Sequence, residues 1–183
     1  AGEDATQALI DRGHKRIGYI DFTHFDTHPD SHYSRVDRHA GYMKTMKKAR
    51  LKPTDYRAFA GLPGKQRLHA LITLFKSADR PTAIIAYDGP ERVLLAATMA
   101  GLTVPDDLSL ISFDEMITPG QLPSDGENYI GLDIATFRIP TIEAGLQAVD
   151  LLMQKIETPG LTFKPTVLPL TFDHGDTLAN ASV

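Results

Sequence analysis

The chain has 183 residues, 42% of them hydrophobic and 23% charged, with a formal net charge of −4 and no cysteine. That length supports one full core. The mildly acidic balance argues against a nucleic-acid-binding surface, which is ordinarily basic, and the lack of cysteine excludes disulfides and thiolate-ligated metal. No apolar run reaches the ~18 residues of a membrane helix, so no membrane partner is expected. Ala1-Gly2-Glu3-Asp4 has neither the basic start nor the apolar stretch of a signal peptide.

In chain order, Asp4 is expected to cap a helix running to about Arg12, with Ala5, Ala8 and Leu9 inward and Gly13 as its stop. A strand follows from Arg16 to Ile20, then a polar loop over 21–35 containing Pro29. Asp37 to Ala49 reads as an amphipathic helix with Ala40, Met43 and Met46 on its inner face. Lys44, Lys47, Lys48 and Arg50 form a basic stripe, read as a solvated face. A short strand is expected from Tyr56 to Ala60, a turn at Pro63-Gly64, and a helix from Gln66 to Phe75 with Leu68, Leu71, Ile72 and Phe75 at helical spacing.

The run Pro81–Asp114 carries the most information. Thr82-Ala83-Ile84-Ile85-Ala86-Tyr87-Asp88 and Leu108-Ser109-Leu110-Ile111-Ser112-Phe113-Asp114 read as two apolar strands, each ending in an aspartate. Between them lies a helix from Glu91 to Ala100, apolar nearly all round, which suits either a core or an interface helix. Apolar strands of this kind are parallel and buried on both faces, and ligands of open α/β sheets bind beyond the carboxyl ends of such strands. Asp88 and Asp114 are therefore expected side by side at a binding crevice. Residues 115–128 read as a loop, Ile130 to Phe137 as a strand, and Pro140 to about Ile156 as a helix with Ile142, Val149 and Leu152 inward. One or two strands are expected over Thr162 to Phe172, and the tail from Gly175 to Val183 is expected to fray. The fold class is thus α/β: a Rossmann-like three-layer lobe with a mainly parallel sheet.

Two carboxylates at neighbouring strand ends can bind sugar hydroxyls, hold Mg²⁺, run acid–base chemistry, or cap the following turn. Arg38 carries a fixed fork of donors suited to vicinal hydroxyls, carboxylates or phosphates. The alternatives are a surface arginine or a salt bridge to Asp37 or Asp114. The stretch His24-Phe25-Asp26-Thr27-His28-Pro29-Asp30-Ser31-His32 holds five potential metal ligands, but Pro29 opposes one helix aligning them and no metal motif is matched, so no metal is expected. Gly61-Leu62-Pro63-Gly64-Lys65-Gln66 fails the phosphate-loop pattern, and neither a nucleophile elbow nor a dinucleotide fingerprint is present, so no cofactor is expected.

Several of these segments resemble the lactose-repressor (LacI/GalR) family of bacterial regulators. Pro81-Thr82-Ala83-Ile84 through Tyr87, and Val104-Pro105 with Asp107-Leu108-Ser109 through Asp114, are similar to its two central strands. Gly13-His14-Lys15-Arg16-Ile17, Arg38-His39-Ala40-Gly41-Tyr42, Ala135-Thr136-Phe137-Arg138-Ile139-Pro140 with Gly145, and Leu168-Pro169-Leu170 through Thr177 resemble further family segments in the same order. The resemblance implies a type I periplasmic-binding-protein-like fold of two lobes following a helix-turn-helix domain. Residues 1–137 and 162–175 would form the C-terminal lobe, residues 138–161 a helix of the mostly absent N-terminal lobe, and residues 176–183 a tail.

The resemblance also implies a cytoplasmic homodimer whose effector, a sugar or related small molecule, binds between the lobes, and contact with operator DNA only through the missing N-terminal domain. It carries effector contacts onto Arg38, Asp114 and Ser34, with His32 at the cleft mouth. Asp88 stands where Asn or Ser is usual, Gly89 where Asp is usual and Ser112 where Gly is usual. Leu62 falls at the family's aromatic position, with Phe59 or Phe22 as substitutes. The other readings are a small α/β enzyme using Asp88 and Asp114, and a solute-binding protein of a transport system.

Overall fold

The structure is a computed structural model that describes residues 1–22, 33–113 and 132–181. Its elements are α1 (Gly2–Asp11), β1 (Ile17–Ile20), α2 (Tyr33–Lys48), β2 (Thr54–Asp55), a 3₁₀ turn (Arg57–Gly61), α3 (Gly64–Phe75), β3 (Ala83–Ala86), α4 (Pro90–Ala100), β4 (Ser109–Phe113), β5 (Ala135–Arg138), α5 (Thr141–Glu157) and β6 (Thr171–Asp173). One six-stranded sheet runs in the order β2-β1-β3-β4-β5-β6. The first five strands are parallel, with Tyr19 opposite Ile85 and Ile85 opposite Ile111, and β6 closes the edge antiparallel to β5.

The strand period of two sorts the core into two layers. Ile17, Tyr19, Ile85, Ile111 and Phe113 point to one face, where Leu9 of α1 and Tyr42 and Met46 of α2 cover them. Ile20, Ile84, Ala86 and Leu110 point to the other, covered by Leu71 and Phe75 of α3 and Val93, Leu94 and Ala97 of α4. Each fully buried large apolar side chain contributes about 1.5–3 kcal/mol to stability. The two helices of the first face cross closely at Gly41, where a Cβ would sit 2.7 Å from the backbone nitrogen of Glu3.

The central strand–helix–strand run, the helix before β1 and the helix before β3 fall where the sequence places them. Gly13 ends α1 in the left-handed region with φ 87°. Asp4, however, is not its cap: the helix starts at Gly2 behind Ala1, and Asp4 lies within its first turn. α2 begins four residues before the expected Asp37, and Ala40 lies on its exposed side. Its buried face is instead Arg35, Arg38, Gly41, Tyr42, Thr45 and Met46, because the two arginines turn inward to partners that a hydropathy pattern does not anticipate. The strand expected from Tyr56 to Ala60 is a 3₁₀ turn: Tyr56 N–H makes the last bond to β1, donating to Tyr19 O at 2.9 Å, and two residues earlier the Tyr42 hydroxyl donates to Thr54 O and accepts from Thr54 N–H at 2.7 Å. Of the strands expected over Thr162 to Phe172, only β6 forms.

The tail does not fray through residue 181. β5 pairs with β4 only from Ile111 onward, which leaves the start of β4 with unpaired backbone groups. The tail supplies them: Thr177 O accepts from Leu110 N–H at 2.8 Å, Thr177 Oγ1 donates to Leu110 O at 2.7 Å, and Ala179 N–H donates to Ser109 Oγ at 3.0 Å.

α5 is the exception to this packing. It has the expected length and an apolar stripe, yet none of its residues is buried; Ile142 is 81% and Leu146 65% exposed. Among the described residues no helix is long and apolar enough to cross a membrane.

Candidate functional site

The carboxyl ends of β1, β3 and β4 converge with the first two turns of α2. Strand register sets Ile20 beside Ala86 and Ala86 beside Ser112, so the residues that follow share one rim. Arg38 reaches into that rim. It is only 6% exposed, and its guanidinium carbon lies 4.6 Å from the Phe113 ring centroid and 5.3 Å from that of Tyr87. Stacking on two aromatic faces fixes the plane of this cation at the rim, and its donors lie in that plane. One turn earlier, the half-buried Ser34 places Oγ 3.3 Å from the Tyr87 hydroxyl.

The turn of α2 before Arg38 is anchored by a pair that the sequence reading missed. Arg35 Nε donates to Asp21 Oδ2, and Asp21 is fully buried directly after β1. The signal was present: Asp21 follows Ile20 as Asp88 follows the strand at Ala86–Tyr87 and Asp114 follows Phe113. A buried pair of this type is costly to break from one side, so it ties the exit of β1 to the first turn of α2.

Asp88 is on the rim but engaged differently from the expectation. Its carboxylate lies 3.9 Å from Arg92 Nη1, one turn along α4, and it provides no side-chain cap. The cap position is Gly89, in the left-handed region with φ 69°, where a Cβ would meet Phe22 at 2.7 Å. Glycine at this family-unusual position is therefore matched to the phenylalanine after Asp21. Phe22 itself is 2% exposed and is flanked by the guanidinium carbons of Arg67 at 5.3 Å and Arg92 at 5.7 Å. Phe59 packs on Tyr56 with centroids 5.6 Å apart. Asp114 and His32, and with His32 the whole His24–His32 stretch, lie outside the described residues.

A second cluster adjoins this rim at the ends of β1 and β2. Arg57 Nε donates to Asp55 Oδ2 at 2.8 Å, and His39 Nε2 lies 3.1 Å from the same oxygen, not aligned as a hydrogen bond. Burial lowers the His39 pKa, as does the Arg57 charge, against the opposing pull of Asp55. Burial alone would raise the Asp55 carboxyl, but the hydrogen bonds and charge of Arg57 outweigh it and hold it below the ordinary value. Tyr19 stacks edge-on against His39 at 5.1 Å, and burial raises its phenol far above the usual range. The Tyr42 phenol is pushed up to about 12 by burial. Neither tyrosine ionises near neutral pH, so both serve as packing and hydrogen-bonding groups.

A separate open crevice of about 430 Å³ lies at the root of α5, lined by Arg138, Ile139, Pro140, Thr141, Ile142 and Leu146. None of the candidate residues lines it.

Comparison with known proteins agrees with this layout. A family model described as a periplasmic binding protein-like domain matches residues 6–178. The chain is 29% identical over 175 residues to the ribose operon repressor of Haemophilus influenzae, covering 91% of this chain and 47% of that protein. It superposes on a LacI family transcriptional regulator from Enterococcus faecium with bound ribose, at TM-score 0.69 and 19% identity, over 99% of this chain and 63% of that one. It also superposes on a dimeric Lac repressor with an 11-residue C-terminal deletion, at TM-score 0.70 and 20% identity, over 100% of this chain and 63% of that one. At such identities the structural likenesses establish the fold. The chain spans about half the length of the curated relatives it matches.

Proposed function

Because this chain belongs to the periplasmic binding protein-like domain family, in the form found in LacI/GalR-type regulators, we propose that it is the effector-binding region of a transcriptional regulator. The effector is a small polar molecule of the sugar or polyol class. The observation that carries the reading is Arg38, a nearly buried guanidinium stacked on Phe113 and Tyr87 at the carboxyl ends of the parallel strands. It is a preorganised donor fork in a mostly apolar rim, the composition expected of a small-ligand site. Ser34 and Asp88 supply further polar contacts from α2 and the β3 exit, and Asp114 and His32 complete the set.

Residues 1–137 and 162–175 act as one lobe, and residues 138–161 cross to another. The bare apolar stripe of α5 supports this: Ile142, Leu146, Val149 and Ile156 are all more than half exposed, which suits a helix whose native partner is a further lobe. Homodimerisation through α4 is supported by Leu95 and Met99, 47% and 53% exposed on an otherwise core-facing helix. Operator DNA is contacted through a separate N-terminal domain, and the regulator works in the cytoplasm. Effector binding favours one arrangement of the lobes and so biases DNA affinity, which requires that the ligand prefer one state. The relatives named are regulators rather than enzymes, and the aspartates serve ligand contact, not catalysis.

The test is calorimetric titration of the full-length regulator with neutral pentoses, hexoses and polyols, for the wild type and Arg38→Ala. The reading expects one class to bind and Arg38→Ala to weaken it by about tenfold or more, as loss of a charged hydrogen-bond donor does. Unchanged affinity in Arg38→Ala would remove the site from this rim.

A further inference from the structure

The corner between α3 and α4 holds a positive charge that its surroundings do not balance. Arg67 is 8% exposed, and its guanidinium carbon lies 5.3 Å from the Phe22 ring centroid. Its Nη2 donates to two backbone carbonyls, Ala60 O at 2.8 Å and Leu62 O at 3.1 Å. Its Nε is enclosed with no acceptor, whereas its Nη1 makes no hydrogen bond and is not enclosed. Among the described residues no carboxylate pairs with it. Guanidinium groups keep their charge in proteins and are seldom buried without a counter-charge, because a lone cation then gives up its hydration uncompensated.

The nearby charges add to the imbalance. α3 starts behind Pro63 with no side-chain cap and no acid in its first turn; that turn carries the exposed Lys65 and Arg67 itself. A helix N-terminus already bears partial positive charge, so two cations there are unfavourable unless an anion joins them. On the other flank of Phe22, Arg92 is engaged: its Nε lies 3.5 Å from Glu91 and its Nη1 3.9 Å from Asp88. Those two acids are drawn to Arg92, and Arg67 and Lys65 are left over.

We propose that the effector carries an acidic oxyanion, a phosphate monoester or a carboxylate, which seats against Arg67 Nη1 at the start of α3, beside a polyhydroxy part held at Arg38. The proposal rests on the effector-binding reading above and narrows the ligand class within it. The placement fits. Phe22 follows Asp21 at the exit of β1, and Leu62 O holds the Arg67 guanidinium just before α3. Arg67 therefore stands at the same end of the sheet as Arg38. Arg38 comes from α2 on one face of the sheet and Arg67 from α3 on the other, so a ligand lying across the strand ends meets a guanidinium from each side. The two carbonyls at Nη2 hold Arg67 in place before any ligand arrives, which lowers the ordering cost of binding.

Calorimetric titration of the full-length regulator with matched sets, at one ionic strength, tests the proposal. One set is ribose, its terminal phosphate monoester and ribonate; the other is glucose, its terminal phosphate monoester and gluconate. At least one acidic member is expected to bind about tenfold or more tighter than its neutral parent, as a charge-assisted hydrogen bond provides. Which acid gains distinguishes phosphate from carboxylate. Arg67→Gln is expected to abolish that preference while the neutral parent keeps its affinity. Arg67→Lys, a point charge without the planar fork, is expected to reduce it by less. Equal binding within both sets, a preference undiminished in Arg67→Gln, or a loss shared equally by neutral and acidic members would overturn the anion subsite. If Arg67→Gln does not fold, Arg67→Lys decides, and an undiminished preference there overturns it. Should the subsite fall while Arg38→Ala still weakens the neutral sugars, the effector site at the rim stands; binding of no member of either set removes both.

Discussion

Asp21 and Arg35 form an ion pair sealed inside the protein, Asp21 at 0% and Arg35 at 6% exposure. It couples the exit of β1 to the helix that carries Arg38, three residues further along α2. Removing one partner leaves a desolvated charge, so Asp21→Asn and Arg35→Met are each expected to cost about 3–5 kcal/mol. The double replacement Asp21→Leu/Arg35→Met is expected to cost much less than their sum. Urea unfolding followed by circular dichroism measures all three, and strict additivity would show that the residues do not act as a pair.

Gly89 and Phe22 are expected to be energetically coupled. Restoring a side chain at Gly89 demands a left-handed φ of 69° and brings Cβ to 2.7 Å from the Phe22 ring. Gly89→Ala is expected to lose about 1–3 kcal/mol. Combining it with Phe22→Ala should recover the steric part, so the double variant loses less than the two single ones together. A thermal-melt double-mutant cycle with no coupling would sink this account.

The bare stripe on α5 predicts concentration-dependent association of the 183-residue chain on its own. Leu146→Glu with Val149→Glu is expected to reduce that association without lowering the melting temperature, since both side chains are more than half exposed. Light scattering across a concentration series reads the first effect and calorimetry the second. Destabilisation by these changes would mean that the stripe packs within the chain.

Thr177 anchors the tail through a hydroxyl that accepts from Ala135 N–H at 2.9 Å and donates to Leu110 O at 2.7 Å, both buried. Thr177→Val keeps the shape but orphans both backbone groups, at a cost of about 1–3 kcal/mol. Thr177→Ser should cost less. A chain this long converts each kcal/mol into about 2–4 °C of melting temperature, and no shift in Thr177→Val would show that the tail bonds are dispensable.

Much of the lobe was legible from local pattern. The apolar runs at Ala83–Ala86 and Ser109–Phe113, the helix between them and the glycine stop at Gly13 all formed, because period and backbone preference act within a few residues. The corrected elements each had a partner distant in sequence. The chain leaves β1 after the Tyr56 N–H bond to Tyr19 O and curls into a 3₁₀ turn, behind a Thr54 that is held by the Tyr42 hydroxyl of α2. The tail beyond Gly175 stayed ordered because the start of β4 lacked a neighbour.

The site divides in the same way. Sequence alone set Arg38 near a helix start and Asp88 at a strand end, since those positions follow from where the elements begin and stop; Ser34, expected in the loop before that helix, was singled out only by the family resemblance and lies in the first turn of α2. Only the tertiary structure decided what each one touches: Arg38 stacked on Phe113 and Tyr87, Asp88 drawn towards Arg92, and Asp21 buried against Arg35. Hydropathy ranks an arginine as a surface residue. Its cost of burial is offset by ring faces and a carboxylate that reach it from strands far along the chain, and no local pattern records those contacts.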